Sequence, residues 1–276
     1  MLLFILACSE VPEEALPTSG AMSVLTYNVH GLPSAITGDD TPARIEAIAP
    51  LLDGFDIVGL QEDFDDANHE MLAAASDHET QVRFSDLVSD DRYYGSGLSV
   101  FASFPLIETH HVHFTDCSGI VDGSSDCLAS KGFQVIRLQL GAGELDVYNT
   151  HMEAGGGAED NAARESNVLQ LIDALQNYSA DRAVLFVGDT NLHGGDPVDQ
   201  PLVDQLLEEG QLTESCDVVS CPEPGRIDRI FIRNASTVTL TVVDWAVEAG
   251  FEDAAGVALS DHDPISVTVE WNVNSE

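Results

Sequence analysis

The sequence predicts one α/β domain in which two stacked β-sheets are covered by helices. Short apolar runs rich in Val, Ile, Leu and Phe recur along the chain, and a few longer segments between them show helical spacing. The chain has 276 residues, 44% of them hydrophobic, so it can bury one large core. Neither an internal repeat nor a long linker follows residue 21, which favours one domain over two.

The first two predicted strands are residues 22–29 and residues 57–61. In the first, apolar side chains alternate along the chain, which is typical of a buried strand. His110, His111 and His113 alternate on a further presumed strand, where a surface strand is favoured over a metal-binding tract. The other predicted strands are residues 98–103, 133–140, 145–150, 183–187, 229–232, 238–244 and 265–271.

Three segments between these strands are predicted to be helical. Pro42, at the first helical position, opens an amphipathic helix that runs to about residue 52. The apolar residues of 160–178 recur at the spacing of one helix face, and residues 202–207 form a shorter helix. Many strands with a few long helices between them indicate stacked sheets with helices outside.

Polar residues stand at or near the ends of six apolar runs. Because neighbouring strand ends meet at one edge of a sheet, six such segments can build one site. Carboxylates, amides and imidazoles suit a hard divalent cation and general-base chemistry, so the set predicts a metal-dependent hydrolase. The residues are Asn28 in LTYNVHG, Glu62 in IVGLQED, His151 in YNTHMEAG, Asp189 and Asn191 in VGDTN, Asp228 in GRIDRIF, and Asp261 and His262 in LSDHDP.

With these six motifs in order between residues 22 and 271, the chain resembles the endonuclease/exonuclease/phosphatase superfamily. The resemblance implies the four-layer α/β/β/α sandwich of deoxyribonuclease I, in which two mixed sheets are flanked by helices and two halves are internally similar. Within the superfamily the motifs are most similar to those of neutral and bacterial sphingomyelinases. That likeness rests on GSGLSVFASFPL, DCLASKG and VYNTHMEAG.

A cation site is expected at Glu62 and Asn28. A carboxylate at the end of a buried strand is costly unless it is paired or ligates a metal, so Glu62 is the expected main ligand of Mg²⁺. The amide oxygen of Asn28 is expected to complete the shell together with water. Mn²⁺ or another divalent cation is an alternative. The rival interpretations are a solvated loop glutamate and an asparagine that only caps its strand.

The dipeptide Asp261-His262 carries the expected general base. An imidazole that takes a proton from water needs a fixed tautomer and raised basicity, which a carboxylate supplies. The superfamily uses this histidine as the base, so the resemblance assigns that role to His262. Asp261 and Asp228 are both candidate acids, and the sequence leaves open which residue contacts the ring. For Asp228 the alternative is a salt bridge with Arg226 or Arg229.

The remaining site residues are expected to handle the phosphate. Gly188 permits a tight turn that aims Asp189 and Asn191 into the site. The resemblance implies that Asp189 orients water or binds a second metal, and that Asn191 contacts a phosphate oxygen. His151 is expected to donate to a non-bridging phosphoryl oxygen. A lone histidine at a strand end is more often structural, and here the order of the motifs outweighs that interpretation.

The expected function is an exported, magnesium-dependent phosphodiesterase of the sphingomyelinase type that hydrolyses a lipid headgroup ester. The formal net charge is −38, with 10 Lys and Arg against 48 Asp and Glu, which disfavours nucleic acid as a substrate. The first alternative is an extracellular endonuclease, and the second is a catalytically silent lipoprotein that binds a partner. We expect a monomer.

The first eight residues, MLLFILAC, resemble a bacterial lipobox with Cys8 as the acylated residue. The apolar run is short and lacks a basic start, so a plain signal peptide is the alternative. Residues 9–21 are then a flexible tether to the domain at 22–273. Ser9 after the cysteine favours the outer membrane by resemblance to lipoprotein sorting. We therefore expect a bacterial outer-membrane lipoprotein, held by its lipid anchor, or a secreted protein.

Four further cysteines, Cys117, Cys127, Cys216 and Cys221, indicate two disulfides in an exported chain. Among the three possible connectivities, Cys117–Cys127 with Cys216–Cys221 is favoured because each bond closes a short loop. Zinc binding is the rival interpretation, but the two pairs lie far apart in sequence and lack two-residue spacing.

Overall fold

The computed structural model describes residues 15–89, 91–119 and 126–274. Within them, twelve strands form two six-stranded sheets. The strands are β1 (Ser19–Asn28), β2 (Ile57–Gln61), β3 (Thr80–Phe84), β4 (Leu98–Ala102), β5 (Leu106–His113), β6 (Gly132–Leu140), β7 (Gly143–His151), β8 (Val184–Asp189), β9 (Thr213–Glu214), β10 (Asp228–Arg233), β11 (Val238–Val247) and β12 (Ile265–Val273). The α-helices are α1 (Ser34–Thr37), α2 (Thr41–Ile48), α3 (Asp66–Ala75), α4 (Ala158–Asn177), α5 (Gln200–Gly210) and α6 (Ser215–Val219).

Sheet 1 has the strand order β11-β12-β1-β2-β4-β3, and sheet 2 has the order β5-β6-β7-β8-β10-β9. In each sheet the third and fourth strands form a parallel pair, β1 with β2 and β7 with β8, and the other pairings are antiparallel. Helix α2 joins the first parallel pair and helix α4 joins the second. This repeated strand–helix–strand unit agrees with the expected internal similarity of the two halves.

Three apolar clusters separate the layers. One cluster lies between the sheets and includes Ile57, Val147 and Val187. A second packs α4 and α5 against sheet 2, and a third packs α2 and α3 against sheet 1. The layer order is therefore helices, sheet, sheet, helices, which confirms the predicted four-layer α/β/β/α sandwich.

The first predicted helix differs from the structure at its end. Helix α2 has Pro42 in its first turn and Asp40 as its cap, whose side chain accepts a 3.3 Å bond from the amide of Ala43. It ends at Ile48 and continues as a 3₁₀ helix at Ala49–Gly54. Pro50 explains the change, because proline lacks the amide hydrogen and its ring crowds the preceding turn of an α-helix.

The region between β2 and β4 departs most from the predicted layout, which placed no element there. The structure has helix α3 and strand β3 in this stretch. Asp65 caps α3 by accepting a 3.0 Å bond from the amide of Asn68. The apolar residues here are few, so periodicity gives a weak signal. Strand β5, expected at the surface, is an edge strand, and its His111 and His113 rings both lie 4.5 Å from the ring of Phe84.

The N-terminal boundary of the domain lies earlier than expected. Strand β1 begins at Ser19, so residues 19–21, assigned above to the tether, pair with β12. Pro17 and Thr18 also accept backbone hydrogen bonds from Ala142 and Val273. The expected acylation site, Cys8, lies outside the described residues.

Both favoured disulfides are present, Cys117–Cys127 and Cys216–Cys221. They confirm the local connectivity among the three possible ones. The described part of the chain has no helix that is both long and apolar enough to cross a membrane.

The sheet registers bring most of the predicted site residues to one end of the sandwich, here called the site edge. Asn28 is paired with Gln61 at the ends of β1 and β2, and His151 is paired with Asp189 at the ends of β7 and β8. Strand β10 runs antiparallel to β8 and starts with Asp228 opposite Asp189. Strand ends that lie far apart in sequence thus meet at one edge, as predicted.

Candidate active site

Asn28 and Glu62 form what we call the cation half of the site, at the ends of β1 and β2. The fully buried Asn28 side chain donates from Nδ2 to Glu62 Oε1 at 3.0 Å and to Asp189 Oδ2 at 3.2 Å. Its Oδ1 accepts the amide of His30 at 3.0 Å and keeps one lone pair. The asparagine therefore links two carboxylates from different sheets.

Glu62 itself is held in an unusual conformation. Its φ of 60° lies in the left-handed region, which costs a non-glycine residue free energy and is often found at functional sites. Its Oε2 is buried, and no protein atom in the described chain satisfies it. A buried carboxylate oxygen without a donor fits a cation ligand, so Glu62 with Asn28 suits a hard divalent ion.

His262 and Asp228 form a buried pair across the two sheets. His262 Nδ1 lies 2.8 Å from Asp228 Oδ2, and their side chains are 17% and 4% exposed. Burial disfavours the charged imidazole, but the hydrogen bond and charge of Asp228, with the charge of Asp189, outweigh it and raise the pKa of His262 to about 9. Burial also raises the pKa of Asp228, an effect that His262 opposes. Arg226 and Arg229 contact other carboxylates, so the alternative salt bridge for Asp228 is absent from the described structure.

Asp261 contacts a different histidine from its neighbour in sequence. Its Oδ1 lies 2.9 Å from His30 Nδ1, with side-chain exposures of 59% for Asp261 and 27% for His30. The hydrogen bond between them raises the pKa of His30 and lowers that of Asp261. The carboxylate on the His262 ring is thus Asp228, which resolves the choice that the sequence left open.

Asp189 lies at the centre of the site. Its Oδ2 is 3.5 Å from His151 Nε2 and 3.8 Å from His262 Nε2, in addition to its bond from Asn28. Burial raises the pKa of this carboxyl, while neighbouring positive charge and the Asn28 amide oppose that shift. Gly188 lies inside β8 rather than in the predicted turn, and a Cβ there would lie 2.4 Å from the carbonyl oxygen of Thr150 on the paired strand β7, so this close approach requires glycine.

His151, Asp189 and Asn191 form what we call the phosphate half of the site, on sheet 2. Burial, with the charges of Lys131 and His262, holds the pKa of His151 well below its usual range, so its imidazole is neutral. Asn191 has a left-handed φ of 51° and donates from Nδ2 to the carbonyl oxygen of Met152 at 3.1 Å. This bond ties the turn after β8 to the loop after β7.

A second grouping of ligand atoms exists within the described residues. One atom each from Asp189, Asp228 and His262 lie within 4.8 Å of one another. The close contact between His262 and Asp228 favours a hydrogen-bonded pair over two metal ligands, whereas Glu62 Oε2 has no competing partner. The cation half is therefore the better fit for a divalent ion.

A known protein-family model matches most of this chain. The profile of the Endonuclease/Exonuclease/phosphatase family covers residues 25–262 of this chain. The chain belongs to this family. The site residues from Asn28 to His262 all fall within the matched range or at its last residue.

Two curated relatives of this chain come from mycobacteria. The chain is 31% identical over 280 residues to the sphingomyelinase of Mycobacterium bovis. The aligned region covers 90% of this chain and 52% of the relative. The sphingomyelinase of Mycobacterium tuberculosis strain H37Rv gives the same values. The chain thus spans about half the length of the curated relatives it matches.

Several solved structures share the fold of this chain. Sphingomyelinase C from Streptomyces griseocarneus superposes with a TM-score of 0.70 and 22% identity, covering 90% of this chain and 99% of that one. A double mutant of beta toxin from Staphylococcus aureus with bound magnesium ions gives a TM-score of 0.68 and 18% identity, covering 90% and 99%. These likenesses confirm the deoxyribonuclease-I-like sandwich.

Two residues that contact the site were not assigned a role from sequence. Lys131, the sole lysine of the chain, is 7% exposed and donates to the carbonyl oxygen of Met152 at 2.9 Å. Ser260 donates to the carbonyl oxygen of Asn28 at 2.6 Å and accepts the amide of His262 at 3.2 Å. Composition could have drawn attention to Lys131, because it is the sole lysine of an acidic chain. The sequence offers no comparable signal for Ser260.

Proposed function

We propose that this family member is a metal-dependent hydrolase of phosphoric diesters. The observation that carries the proposal is the position of Asp189 Oδ2, 3.2 Å from Asn28 Nδ2 in the cation half and 3.8 Å from Nε2 of His262. A cation-binding pair and a histidine–carboxylate pair therefore face one small space. Such a pairing supports attack by water on a phosphate held between them.

The proton of the attacking water is assigned to His262. Asp228 accepts the hydrogen on Nδ1, so the lone pair that can take a proton is on Nε2, on the side of Asp189. Asp228 also stabilises the imidazolium that forms. The high pKa of His262 makes it a strong base once it is neutral.

Residues of the phosphate half hold the substrate in the proposed reaction. His151 is neutral, so it donates one hydrogen bond and brings no added positive charge to the site. Asn191 is expected to contact a phosphate oxygen, from a turn that its bond to Met152 keeps in place. Asp189 accepts from Asn28 and orients the water near His262.

The cation half completes the site. When bound, a divalent cation, for which we propose Mg²⁺ with Mn²⁺ as a substitute, offsets negative charge on the phosphate and on the leaving oxygen. Glu62 would hold it through the buried Oε2 and Asn28 through the second lone pair of Oδ1. The bond from Asn28 Nδ2 to Oε1 turns the Glu62 carboxylate so that Oε2 remains for the ion.

The proposed substrate is a lipid phosphodiester of the sphingomyelin type. The 31% identity to mycobacterial sphingomyelinases supports it, and the net charge of −38 disfavours a polyanionic substrate. Purified protein assayed side by side with sphingomyelin vesicles and plasmid DNA, with and without Mg²⁺, tests this. We expect release of a phosphorylated headgroup only with Mg²⁺. Cleavage of DNA in preference to lipid would assign the site to the nuclease alternative.

The absence of a covalent intermediate is tested by acid quench, and isotopically labelled water tests whether water attacks at phosphorus. Direct attack transfers one labelled oxygen to the phosphoryl product in a single turnover. A phosphorylated enzyme trapped on acid quench would contradict the proposal, because His262 would then not act on water.

We also propose that the protein is exported and works as a monomer. The disulfides Cys117–Cys127 and Cys216–Cys221 fit an oxidising compartment. Acylation at Cys8, with outer-membrane attachment, is tested by fatty-acid labelling of the wild type and of Cys8→Ala. Label in the wild type alone supports the anchor, and a labelled variant excludes Cys8 as the site. Sedimentation of the purified protein tests the monomer.

A further inference from the structure

We propose that Asn149 and Gln61 are positioning residues that set the separation between the cation half and the phosphate half of the site. The proposal rests on the proposed function for what this separation serves. The two halves belong to different sheets, so their distance depends on how the sheets pack. Asn149 lies on β7 of sheet 2, and Gln61 ends β2 of sheet 1.

The two side chains join the sheets directly. Gln61 Nε2 donates to Asn149 Oδ1 at 2.7 Å. Asn149 Nδ2 donates in turn to the carbonyl oxygens of Leu60 at 2.9 Å and Ser99 at 3.0 Å, on two adjacent strands of sheet 1. Gln61, Asn149 and Ser99 are fully buried. One asparagine of sheet 2 therefore bonds to three groups of sheet 1.

These residues lie next to the groups they would position. Gln61 directly precedes Glu62, and Asn149 lies two residues before His151. Gln61 Nε2 also donates to Oγ1 of Thr26 on β1 at 3.2 Å. The bonds are thus placed within one or two residues of both halves of the site.

The surroundings of this polar cluster show why its geometry is strict. An apolar cluster lies between the sheets, where an amide costs free energy unless it is hydrogen-bonded. The sheets also approach closely here, since a Cβ on Gly59 would lie 2.3 Å from Val187 Cγ2 and 3.3 Å from Asn149 Oδ1. Because hydrogen bonds are directional, those of Asn149 and Gln61 fix the distance between the two sheets. Apolar packing alone would let one sheet slide over the other.

The expected effect of Asn149→Leu separates turnover from cation binding. A displacement of about 1 Å between reacting groups can lower turnover roughly 10²-fold, so we expect kcat to fall by about that factor. Both cation ligands lie in sheet 1, so Mn²⁺ affinity measured by titration calorimetry should stay near the wild-type value. Equal loss of affinity and turnover, or unchanged kcat, would overturn the proposal.

A matched control lies one residue away on the same strand. Tyr148 faces the helices, is fully buried and shares a 2.8 Å hydrogen bond with Ser179 Oγ. Tyr148→Phe removes a buried hydrogen bond without touching the contact between the sheets. We expect it to lose thermal stability while keeping kcat. Should Asn149→Leu not fold, Gln61→Leu removes the same inter-sheet bond and is expected to lower kcat in the same way.

A measurement of position makes the test independent of catalysis. Mn²⁺ bound at the cation half broadens nuclear magnetic resonance signals with a steep distance dependence, so histidine ring signals report separation. In Asn149→Leu, we expect altered broadening for His151 on sheet 2 and unchanged broadening for His30, which lies just after β1 of sheet 1. Unchanged broadening of His151 would refute the positioning role. An inactive wild type that still shows the His151 change would end the proposed function and leave this proposal standing.

Discussion

Two histidine–carboxylate pairs lie beside each other at the site edge. Their nitrogen–oxygen distances are similar, but the exposure of their carboxylates differs. The buried pair is His262 with Asp228 at 2.8 Å, and the rim pair is His30 with Asp261 at 2.9 Å. Asp228 is 4% exposed, whereas Asp261 is 59% exposed. Water screens the rim pair, and protein surrounds the buried one. Burial, more than contact distance, therefore distinguishes the electrostatic environment of His262 from that of His30.

Removal of the histidine of the buried pair should have the largest effect. General-base catalysis contributes about 10²–10⁴-fold, so we expect His262→Ala to lower kcat by an amount in that range. The measurement is the initial rate of sphingomyelin hydrolysis at saturating Mg²⁺, with His30→Ala as the matched rim control. A similar loss in both variants would mean that the two pairs do not differ in role.

Glu62→Gln tests whether the cation binds apart from the buried pair. We expect Mn²⁺ affinity to fall by at least the roughly 10–100-fold that loss of a supporting partner costs at metal sites. Asp228→Asn should leave that affinity near the wild-type value. Titration calorimetry on both variants decides the matter, and the reverse pattern would place the ion among Asp189, Asp228 and His262.

Asp228→Asn should weaken the buried pair without removing the base. The amide cannot stabilise the imidazolium, so we expect a fall in kcat smaller than that of His262→Ala. Circular dichroism should show an intact fold. If kcat were unchanged, the contact between Asp228 and His262 would be structural only.

The pH dependence of the buried pair has a definite sign in protein stripped of metal. The His262 pKa of about 9 lies above the ordinary value of 6.5, so proton binding by His262 stabilises the fold fully below about pH 6.5, and this contribution is lost as pH rises through 9. The Asp228 pKa is raised to about 6, so both partners are charged between about pH 6 and 9. The nuclear magnetic resonance signals of the His262 ring, followed over pH, should titrate near 9. In Asp228→Asn, the titration midpoint of His262 should move back toward 6.5. A wild-type midpoint near 6.5 would contradict this account.

Asp261→Asn should have the smallest effect. The rim pair is partly exposed, and exposed ion pairs contribute about 0.2–1 kcal/mol to stability. We expect urea unfolding to shift within that range and kcat to change less than in Asp228→Asn. The catalytic role first expected for Asp261 is tested in the same assay, because a loss equal to that of His262→Ala would restore it.

Much of the sandwich could be predicted from sequence because its central strands are continuous apolar runs. Strand β2 lies at residues 57–61 as predicted, and β6 and β8 each begin within one residue of the expected position. Helix α3 and strand β3 were missed, because their outward faces are polar and their apolar residues few. Pro42 correctly predicted the start of α2, but the predicted end at about residue 52 was wrong. The helix ends at Ile48 because Pro50 interrupts the α-helical hydrogen bonding.

The site residues were predictable as a set, and their pairings were not. Motifs at strand ends brought Asn28, Glu62 and Asp189 together as expected. Adjacent residues Asp261 and His262 nevertheless point to different partners, since the turn before β12 directs successive side chains apart. Pairing across sheets depends on sheet packing, which no local pattern encodes.

The direction of strand β1 bears on where the site edge would lie relative to a lipid anchor. The strand starts at Ser19 at the end of the sandwich away from the site, and its ten residues carry the chain roughly 30 Å to Asn28. An acyl chain on the proposed site Cys8 would therefore be attached on the side of β1 that begins at Ser19. An anchor at that end would leave the site edge at the opposite end of β1 from the membrane attachment.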